Sequence, residues 1–482
     1  MKTKAVRLYG EMDLRLDEFE LPEMQDDEIM AEVVTDSLCM SSYKAITQAQ
    51  KHKKVPDDIS ENPIILGHEF CGTIKKVGKK WKDQYQEGDK FVIQPNIGDI
   101  RGYAPGYSFH HMGGDATTII FSDQVMENGS LLKYNGDSFF EGSLVEPLSC
   151  VVGAFNAQYH MKKMYSYEHV MGIKEGGAIA LLGATGPMGF LAIDFAIHGS
   201  KKPKTLVVTG RTQKKIDMAA RLYTVEEAKK NGVDLVYVNT RDIADVNKEL
   251  RKYSEKGFDD VFIFAPNEEM VTYGVKMLAF DGCLNFFSGP ADQEFSSRVN
   301  FYNIHYNSTH FVGTSGGNTE DMKQSIELIE SKTVNVAKIA THILGLDHAV
   351  ETTKALPELE GSKKIVYTHK KFPLTEVDKF DENSDDEYIR ELKSIVERNG
   401  NLWSAEAERY FIQNAPEILE GSSMSSDILV RDQIFSTYDS LYDAEKKVAD
   451  YLISHPSEAI EMSVSELASH CDASQATIIP FL

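Results

Sequence analysis

"IALLGATGPMGFLAIDFA", residues 179–196, joins an apolar strand pattern to an apolar helix pattern through a turn that contains three glycines. Glycine lets the backbone of such a turn approach a pyrophosphate closely, and the start of the helix offers free N–H groups and a positive dipole end. The GxxGxxG spacing is less specific than GxGxxG, and a structural turn without a ligand is the alternative. We expect a dinucleotide-binding turn formed by Gly183, Gly186, Pro187, Met188 and Gly189.

The stretch lies in a region where apolar strands alternate with helical patterns. From about residue 170 the chain continues through "TLVVTG", "DLVYVN", "FDDVFIFAP" and "CLNFFSG". Such alternation is typical of parallel βαβ units with helices on both faces of a sheet. Further on, Asp321 precedes Met322, Ile326 and Ile329 at helical spacing, which predicts an amphipathic helix.

The end of the second strand indicates which dinucleotide binds. An NAD-binding unit presents an acidic residue to the ribose about 20 residues after the turn. This chain has Thr209, Gly210 and Arg211 there instead. Because an arginine can hold a 2'-phosphate through two charge-assisted hydrogen bonds, NADP is favoured over NAD. The alternative is that Arg211 is simply the solvated start of the next helix.

Composition is that of an ordinary soluble globular protein, and the apolar pattern predicts a cytoplasmic one. Its 482 residues predict two or three domains at about 100 to 200 residues each. The net charge of -23 repels polyanions and argues against a general nucleic-acid coat. No apolar run approaches the roughly 20 residues that span a bilayer, and the N-terminus lacks an apolar signal region. The five cysteines are scattered, which argues against a disulfide framework.

Before the dinucleotide unit, residues 1 to about 155 show short strands and turns, which predict a β-rich domain. This region offers possible metal ligands at Cys39 in "DSLCMSSYK", His68 and Glu69 in "ILGHEFCG", and Glu146 in "SLVEPLSC". Taken singly, these residues have more ordinary explanations. Cys39 would be a core thiol, His68 a histidine with its hydrogen bonds made within the protein, and Glu146 a surface carboxylate. Catalytic zinc needs three such ligands and an open position. Their combination with a dinucleotide fold favours a zinc site.

Residues 1 to about 372 resemble the zinc-dependent medium-chain dehydrogenases/reductases, the family of alcohol and polyol dehydrogenases. "GHE", "EGDKFV", "GGDATTII", the glycine turn and "VGTSGG" stand in the family's order. Within the family, "DSLCMSSYK", "GIKEGG", "LAFDGCLNFF" and "FYNIHY" are most similar to the L-sorbose 1-phosphate reductases. The resemblance implies a GroES-like β-rich catalytic domain (1–160), a Rossmann domain (161–308), a return to the catalytic domain (309–375) and an α-helical extension.

The resemblance also implies the roles of the site residues. Cys39, His68 and Glu146 would bind the catalytic zinc, and Glu69 would either ligate it or face it and exchange with water. Ser41 would relay the proton. Lys44 replaces the family's histidine in that relay, so it would either shuttle the proton or attract a substrate phosphate.

No structural zinc is expected, because residues 94–120 lack the four cysteines that bind it in other members. Cys71 matches no ligand position and is expected to pack within a strand. Arg101, His110, His111 and Lys44 are candidate contacts for a substrate phosphate.

The implied activity is reduction of a ketose phosphate, L-sorbose 1-phosphate to D-glucitol 6-phosphate, by a cytoplasmic homo-oligomer that uses NAD(P)H. One alternative is another polyol or alcohol dehydrogenase of the family. A second is a bifunctional reductase and DNA-binding regulator. A third is a zinc-free quinone reductase relative, which the GxxGxxG spacing favours and the intact ligand set opposes.

The C-terminal part divides into two segments. Residues 376–423 predict a linker and two amphipathic helices broken at Asn399-Gly400. Residues 424–482, from Met424, resemble the first part of an RpiR-type helix-turn-helix, but Pro480 interrupts the recognition helix. Such a helix needs several turns to enter the major groove. We therefore expect a truncated motif without specific nucleic-acid binding.

Overall fold

The computed structural model of the protein describes residues 1–418, 441–455, 459, 462–471 and 473–478. Within this part of the chain the strands form four sheets, of which the eight-stranded and six-stranded ones are the largest. No described helix combines the length and the apolar character needed to cross a membrane.

The N-terminal region is built on antiparallel strands. A three-stranded sheet contains β1 (Lys2–Gly10), β2 (Asp13–Glu20) and β4 (Ile64–Ile65). The N-terminal strands of the eight-stranded sheet are β3 (Ile29–Ser37), β5 (Phe70–Val77), β6 (Lys90–Ile93), β7 (Thr118–Phe121) and β8 (Leu131–Lys133). Every residue of β3 is buried, and β3 pairs with both β5 and β7. This strand is therefore the centre of the β-rich region.

Short helices connect these strands to the rest of the chain. They are α1 (Met40–Gln48), α2 (Asp123–Glu127), α3 (Phe139–Ser143) and α4 (Val145–Asn156). An antiparallel hairpin of β9 (Tyr159–Met161) and β10 (His169–Met171) follows α4. Because α1 begins directly after β3, the residues between them lie at the end of the most buried strand.

The six-stranded sheet is parallel and has the order β13-β12-β11-β14-β15-β16. Its strands are β11 (Ala178–Leu182), β12 (Thr205–Gly210), β13 (Asp234–Asn239), β14 (Phe258–Ile263), β15 (Leu278–Phe286) and β16 (His310–Gly313). Its helices are α5 (Pro187–His198), α6 (Gln213–Leu222), α7 (Val225–Lys230), α8 (Val246–Leu250), α9 (Glu268–Met277) and α10 (Phe301–Asn307). The strand order reverses beside β11, which places a ligand crevice at the carboxyl end of that strand. The predicted doubly wound fold is confirmed.

The chain then returns to the eight-stranded sheet. Its next helices are α11 (Thr319–Glu330) and α12 (Ala349–Ala355), and its strands are β17 (Ala340–Gly345), β18 (Lys363–Tyr367) and β19 (Thr375–Glu376). Strand β18 pairs with β3. Asn318 and Asp321 cap α11, and Met322, Ile326 and Ile329 are buried, as the helical spacing predicts. The short strand Thr375–Glu376 reaches into the segment that the sequence predicts to be a linker, and Val377 and Phe380 after it are buried.

The predicted helical extension packs on the dehydrogenase core. It consists of α13 (Glu387–Arg398) and α14 (Ala405–Asn414), and Gly400 between them has a φ of 74°. Leu392, Trp403 and Phe411 are buried in the same cluster as the helices of the six-stranded sheet. Burial of these large side chains fixes the extension to the body of the molecule.

The helix-turn-helix-like segment is described in part. Its described helices are Asp443–Ser454, Val464–His470 and Gln475–Ile478. Val448, Leu467 and Ile478 belong to a small apolar cluster within this segment. Met424 and Pro480, on which the interpretation of a truncated motif depends, lie outside the described residues.

Candidate metal and dinucleotide site

Cys39 lies between β3 and α1 and directly precedes the first turn of that helix. Its Sγ lies 2.9 Å from Oγ of Ser41. Burial and, to a lesser extent, the charge of Glu69 raise the pKa of Cys39 to about 12. The thiolate, which is the form that binds metals, therefore needs a nearby cation to be stable at this position.

His68 follows a glycine that no other residue could replace without strain. Gly67 has a φ of 89°, and a Cβ atom there would lie 2.6 Å from the backbone nitrogen of Asp115. His68 is buried, and its Nε2 lies 3.2 Å from the hydroxyl of Tyr107 and 3.3 Å from Oγ of Ser41. Burial lowers the pKa of His68 to about 4, so the imidazole is neutral at physiological pH. A neutral imidazole is the form that binds zinc.

Glu69 is buried beside His68 and forms an ion pair with Lys363 of β18. Lys363 Nζ donates to both carboxylate oxygens, at 2.6 Å to Oε1, and Ser37 Oγ donates to Oε2 at 2.6 Å. Burial is the largest single influence and raises the pKa of Glu69, but the charges of Lys363 and His68 and the hydrogen bonds from Lys363 and Ser37 together hold that pKa below its ordinary value. Glu69 is therefore ionised, and Lys363 fixes the direction of its carboxylate.

Glu146 lies in the first turn of α4, and its carboxylate interacts electrostatically with that of Glu69. Burial, followed by the charge of Glu69, raises the pKa of Glu146 to about 7. The thiol of Cys150, one helical turn on, lies 3.5 Å from its Oε1. Two carboxylates in a buried space repel each other, so a cation between them would favour ionisation of both.

The donor atoms of Cys39, His68 and Glu69 lie within 4.8 Å of one another, and they are the group of possible metal ligands found in the described part of the chain. A thiol, an imidazole and a carboxylate are the donor types that catalytic zinc sites use. Glu146 stands outside this group at that distance. The structure thus brings three of the four predicted ligands together. The fourth, Glu146, is near enough to Glu69 for the charge of Glu69 to raise its pKa.

The two residues predicted for the proton relay have different surroundings. Ser41 lies between Cys39 and His68, with its Oγ close to both donor atoms. Lys44, on the next turn of α1, donates instead to the carbonyl oxygen of Gly289 at 2.7 Å. Gly289 follows β15, so Lys44 connects the catalytic region to the six-stranded sheet.

The glycine turn fits a dinucleotide. Gly183 has a φ of 69°, and a Cβ on Gly189 would lie 2.2 Å from the carbonyl oxygen of Ala184. Gly186 immediately precedes α5, and Pro187 lies in the first turn of that helix while Met188 packs against the core. A Cβ atom on Gly186 would have no neighbouring atom within 4 Å. The start of α5 is therefore open to a pyrophosphate.

The end of β12 supports this turn. Thr209 Oγ1 accepts a hydrogen bond from the backbone N–H of Gly183 at 3.0 Å. A Cβ on Gly210 would lie 2.6 Å from Cγ2 of Thr185. Arg211 follows, and its side chain is exposed. The structure thus brings the predicted cofactor residues of the two loops to one end of the sheet.

Three other predicted phosphate contacts have partners elsewhere. Arg101 forms a 2.7 Å ion pair with Asp99. His110 Nδ1 lies 3.1 Å from the carbonyl oxygen of Pro63, and the ring of His111 lies beside that of His110. In the described part of the chain, none of these contacts joins them to Cys39, His68 or Glu69.

Sequence reasoning did not identify Lys363 or Tyr107. Lys363 opens a strand in which every residue is buried, and a lysine in such a strand needs a partner. That pattern was a usable signal for a buried ion pair, although it does not identify the partner. Tyr107 lies in an irregular loop, and no spacing rule connects it to His68.

Two family models match the N-terminal region and most of the six-stranded sheet. The family model "Zinc-binding dehydrogenase" matches residues 187–331, and "Alcohol dehydrogenase GroES-like domain" matches residues 25–128. "Helix-turn-helix domain, rpiR family" matches residues 428–482.

Several curated relatives match most of this chain. L-sorbose 1-phosphate reductase of Klebsiella pneumoniae is 51% identical over 417 residues, which are 86% of this chain and 98% of that protein. Mannitol-1-phosphate 5-dehydrogenase of Aliivibrio fischeri is 42% identical over 414 residues, which are 86% of this chain and 98% of that protein.

Solved structures share the fold. A zinc-binding dehydrogenase from Sinorhizobium meliloti bound to NADP superimposes with a TM-score of 0.62 at 19% identity, covering 76% of this chain and 99% of that one. For 2R,3R-butanediol dehydrogenase from Bacillus subtilis the TM-score is 0.61 at 19% identity, with the same coverage. The chain therefore belongs to the zinc-dependent medium-chain dehydrogenases/reductases, the family of alcohol and polyol dehydrogenases.

Proposed function

We propose that the protein reduces a ketose phosphate with NADPH at a zinc centre, and that L-sorbose 1-phosphate is converted to D-glucitol 6-phosphate. The observation that carries the proposal is the 51% identity to L-sorbose 1-phosphate reductase across 98% of that enzyme. The clustered donors and the open glycine turn support it, since a reductase of this type needs both.

Cys39, His68 and Glu146 would hold the zinc, with Glu69 as a fourth donor or as the residue that faces the metal. When bound, zinc supplies a Lewis acid that polarises a carbonyl and stabilises a developing alkoxide. Lys363 holds Glu69 ionised and oriented. Ser41 lies where it can pass a proton to the substrate oxygen, because its Oγ is beside both Cys39 and His68.

NADPH would bind across the turn at Gly183, Gly186 and Gly189, with its 2'-phosphate on Arg211. Exposure of Arg211 at the end of β12 supports this placement. Replacement R211A should raise the KM for NADPH about tenfold or more and leave the KM for NADH nearly unchanged. The control is K230A, since Lys230 is the exposed last residue of α7 and precedes the amino end of β13, and this variant should change neither KM. Equal KM values for both cofactors in wild type and R211A would contradict the assignment.

A second substrate is favoured by a specific observation, the 42% identity to mannitol-1-phosphate 5-dehydrogenase. Initial rates with L-sorbose 1-phosphate, D-fructose 6-phosphate and the two free sugars separate the candidates. The proposal predicts the highest kcat/KM for L-sorbose 1-phosphate. A higher value for D-fructose 6-phosphate would favour the second candidate, and activity with free sugars alone would contradict both.

We propose that the helix-turn-helix-like segment does not bind specific DNA. The helices Val464–His470 and Gln475–Ile478 contain no lysine or arginine, which are the residues that contact DNA phosphates. A mobility-shift assay with the full chain at physiological salt should show no sequence-specific complex. A specific shift would instead support a bifunctional regulator.

We also propose that the protein forms a homo-oligomer. Strand β16 is the outer strand of the six-stranded sheet, and an open edge can pair with another chain. Nearby, α10 has no buried residue and exposes Phe301, Tyr302 and Tyr306. An exposed aromatic surface beside an open edge favours association of two copies.

A further inference from the structure

Lys54 is a half-buried lysine close to the proposed metal site. Its Nζ lies 4.7 Å from the centroid of the Tyr107 ring. The hydroxyl of Tyr107 in turn lies 3.2 Å from Nε2 of His68. One aromatic ring therefore separates the ammonium group from a residue of the donor cluster.

The charge of Lys54 is not neutralised by an ion pair. Among the residues that the structure describes, no carboxylate lies within 4.0 Å of its Nζ. Burial lowers the pKa of Lys54, and the charge of Glu146 is the largest opposing influence.

His52 covers the same tyrosine ring. The ring of His52 stacks on Tyr107 with an interplanar angle of 8° and a centroid distance of 5.7 Å. Burial and the charges of Lys54, Lys53 and Lys44 lower the pKa of His52. In a chain of net charge -23, a half-buried ammonium group at Lys54 without an ion-pair partner among the described residues requires an explanation. An anionic group on the substrate provides one.

The chemistry of the proposed substrate sets the distance between its phosphate and the carbonyl group that is reduced. In a 1-phospho-2-ketose, the carbonyl carbon is bonded to the carbon that carries the phosphate. The phosphate must therefore lie beside the group that is reduced and close to the metal ligands. A lysine with a free ammonium group binds phosphate as a point charge.

We propose that Lys54 binds the phosphate of the substrate and thereby selects phosphorylated ketoses over free ones. The inference rests on the proposed function and names a specificity-determining residue for it. Lys44 contributes charge, but its ammonium group already donates to Gly289. Arg101, His110 and His111 are directed to partners outside the donor cluster and are therefore not part of this phosphate site.

The test compares K54Q with K53Q, since Lys53 is the adjacent lysine and is exposed. The readouts are kcat and KM for L-sorbose 1-phosphate and for free L-sorbose with NADPH, together with the zinc content. We expect K54Q to lose about 10- to 100-fold in kcat/KM for the phosphorylated sugar, the loss expected for a hydrogen bond to a charged group. Its kcat/KM for free L-sorbose and its zinc content should stay at wild-type values.

K54R should recover part of the activity with the phosphorylated sugar, because it restores the charge, and K53Q should resemble wild type. An equal loss with both sugars, or an unchanged preference in K54Q, would overturn the assignment of Lys54 while the proposed function stands. Wild-type inactivity with every ketose phosphate would overturn the proposed function and this inference together.

Discussion

The pairing of Glu69 with Lys363 is the residue-level feature for which local sequence patterns could not identify the two partners. Cys39, His68 and Glu69 stand in short motifs, so their chemistry was visible in the sequence. Lys363 lies 294 residues from Glu69, and only the pairing of β18 with β3 brings them together. The glycine at position 67 was part of the motif, but the close approach of Asp115 that requires it was not visible.

This ion pair should be important for stability. K363M would leave the Glu69 carboxylate buried without a counter-charge, which should lower the free energy of unfolding by about 3 kcal/mol. The double variant K363M/E69Q removes both charges and should recover much of that loss. Urea unfolding of the three metal-free proteins measures these differences. If K363M were as stable as wild type, the pair would have no such role.

His198, in the last turn of α5, should make stability depend on pH. A hydrogen bond to Asp194, 2.6 Å from Nδ1 to Oδ1, raises the pKa of His198 above its ordinary value of 6.5. A histidine whose folded pKa is raised stabilises the protein fully below about 6.5 and loses that contribution as pH rises through the folded pKa.

The stability difference between wild type and H198N should therefore be largest in mildly acidic solution and shrink towards alkaline pH. Urea midpoints of both proteins across this range measure it. A stability difference between wild type and H198N that grew with pH would contradict this prediction.

Among the elements, the helical extension was predicted as two helices, but its connection to the site was not. Glu408 of α14 is buried, and its carboxylate accepts hydrogen bonds from the backbone N–H groups of Phe139 and Phe140 at 2.6 and 2.8 Å. Tyr367 also donates to it, at 3.0 Å. The extension thus caps α3, the helix that directly precedes the helix of Glu146. Contacts over such separations leave no local sequence signal.

E408A should therefore destabilise the protein by about 3 kcal/mol, because two charge-assisted hydrogen bonds are lost at a buried helix start. E406A is a matched control on the same helix, since Glu406 forms an exposed ion pair with Arg398. Its unfolding midpoint should match wild type within error. Equal effects of the two substitutions would mean that Glu408 does not hold α3.

At the scale of the whole molecule, the sequence predicted the doubly wound sheet because alternating strands and helices leave a periodic pattern. It also predicted a β-rich region before that sheet. The eight-stranded sheet, in contrast, combines strands from both ends of the dehydrogenase, with β18 beside β3. Periodicity predicts that a strand exists but not its partner, so the return of residues 309–375 to the catalytic domain was implied by the family resemblance and the pairing of β18 with β3 was given by the structure.

The open edge at β16 leads to a prediction about assembly. Light scattering should give wild type a mass of two or more chains, and Y302K/Y306K should shift it towards one chain, because charges replace exposed aromatic surface. I100K is the control, since Ile100 is fully exposed in another loop. Wild type that is monomeric at all concentrations would contradict the proposed interface.

The central claim is that the cluster around Cys39 and His68 is a zinc centre for reduction of a ketose phosphate. The most direct test is the rate of NADPH oxidation with L-sorbose 1-phosphate, measured together with zinc content before chelation, after chelation and after zinc is restored. The account predicts that activity is lost in proportion to the zinc removed and returns when zinc is added. Full activity in protein without zinc, or no activity with L-sorbose 1-phosphate in the zinc-loaded protein, would contradict it.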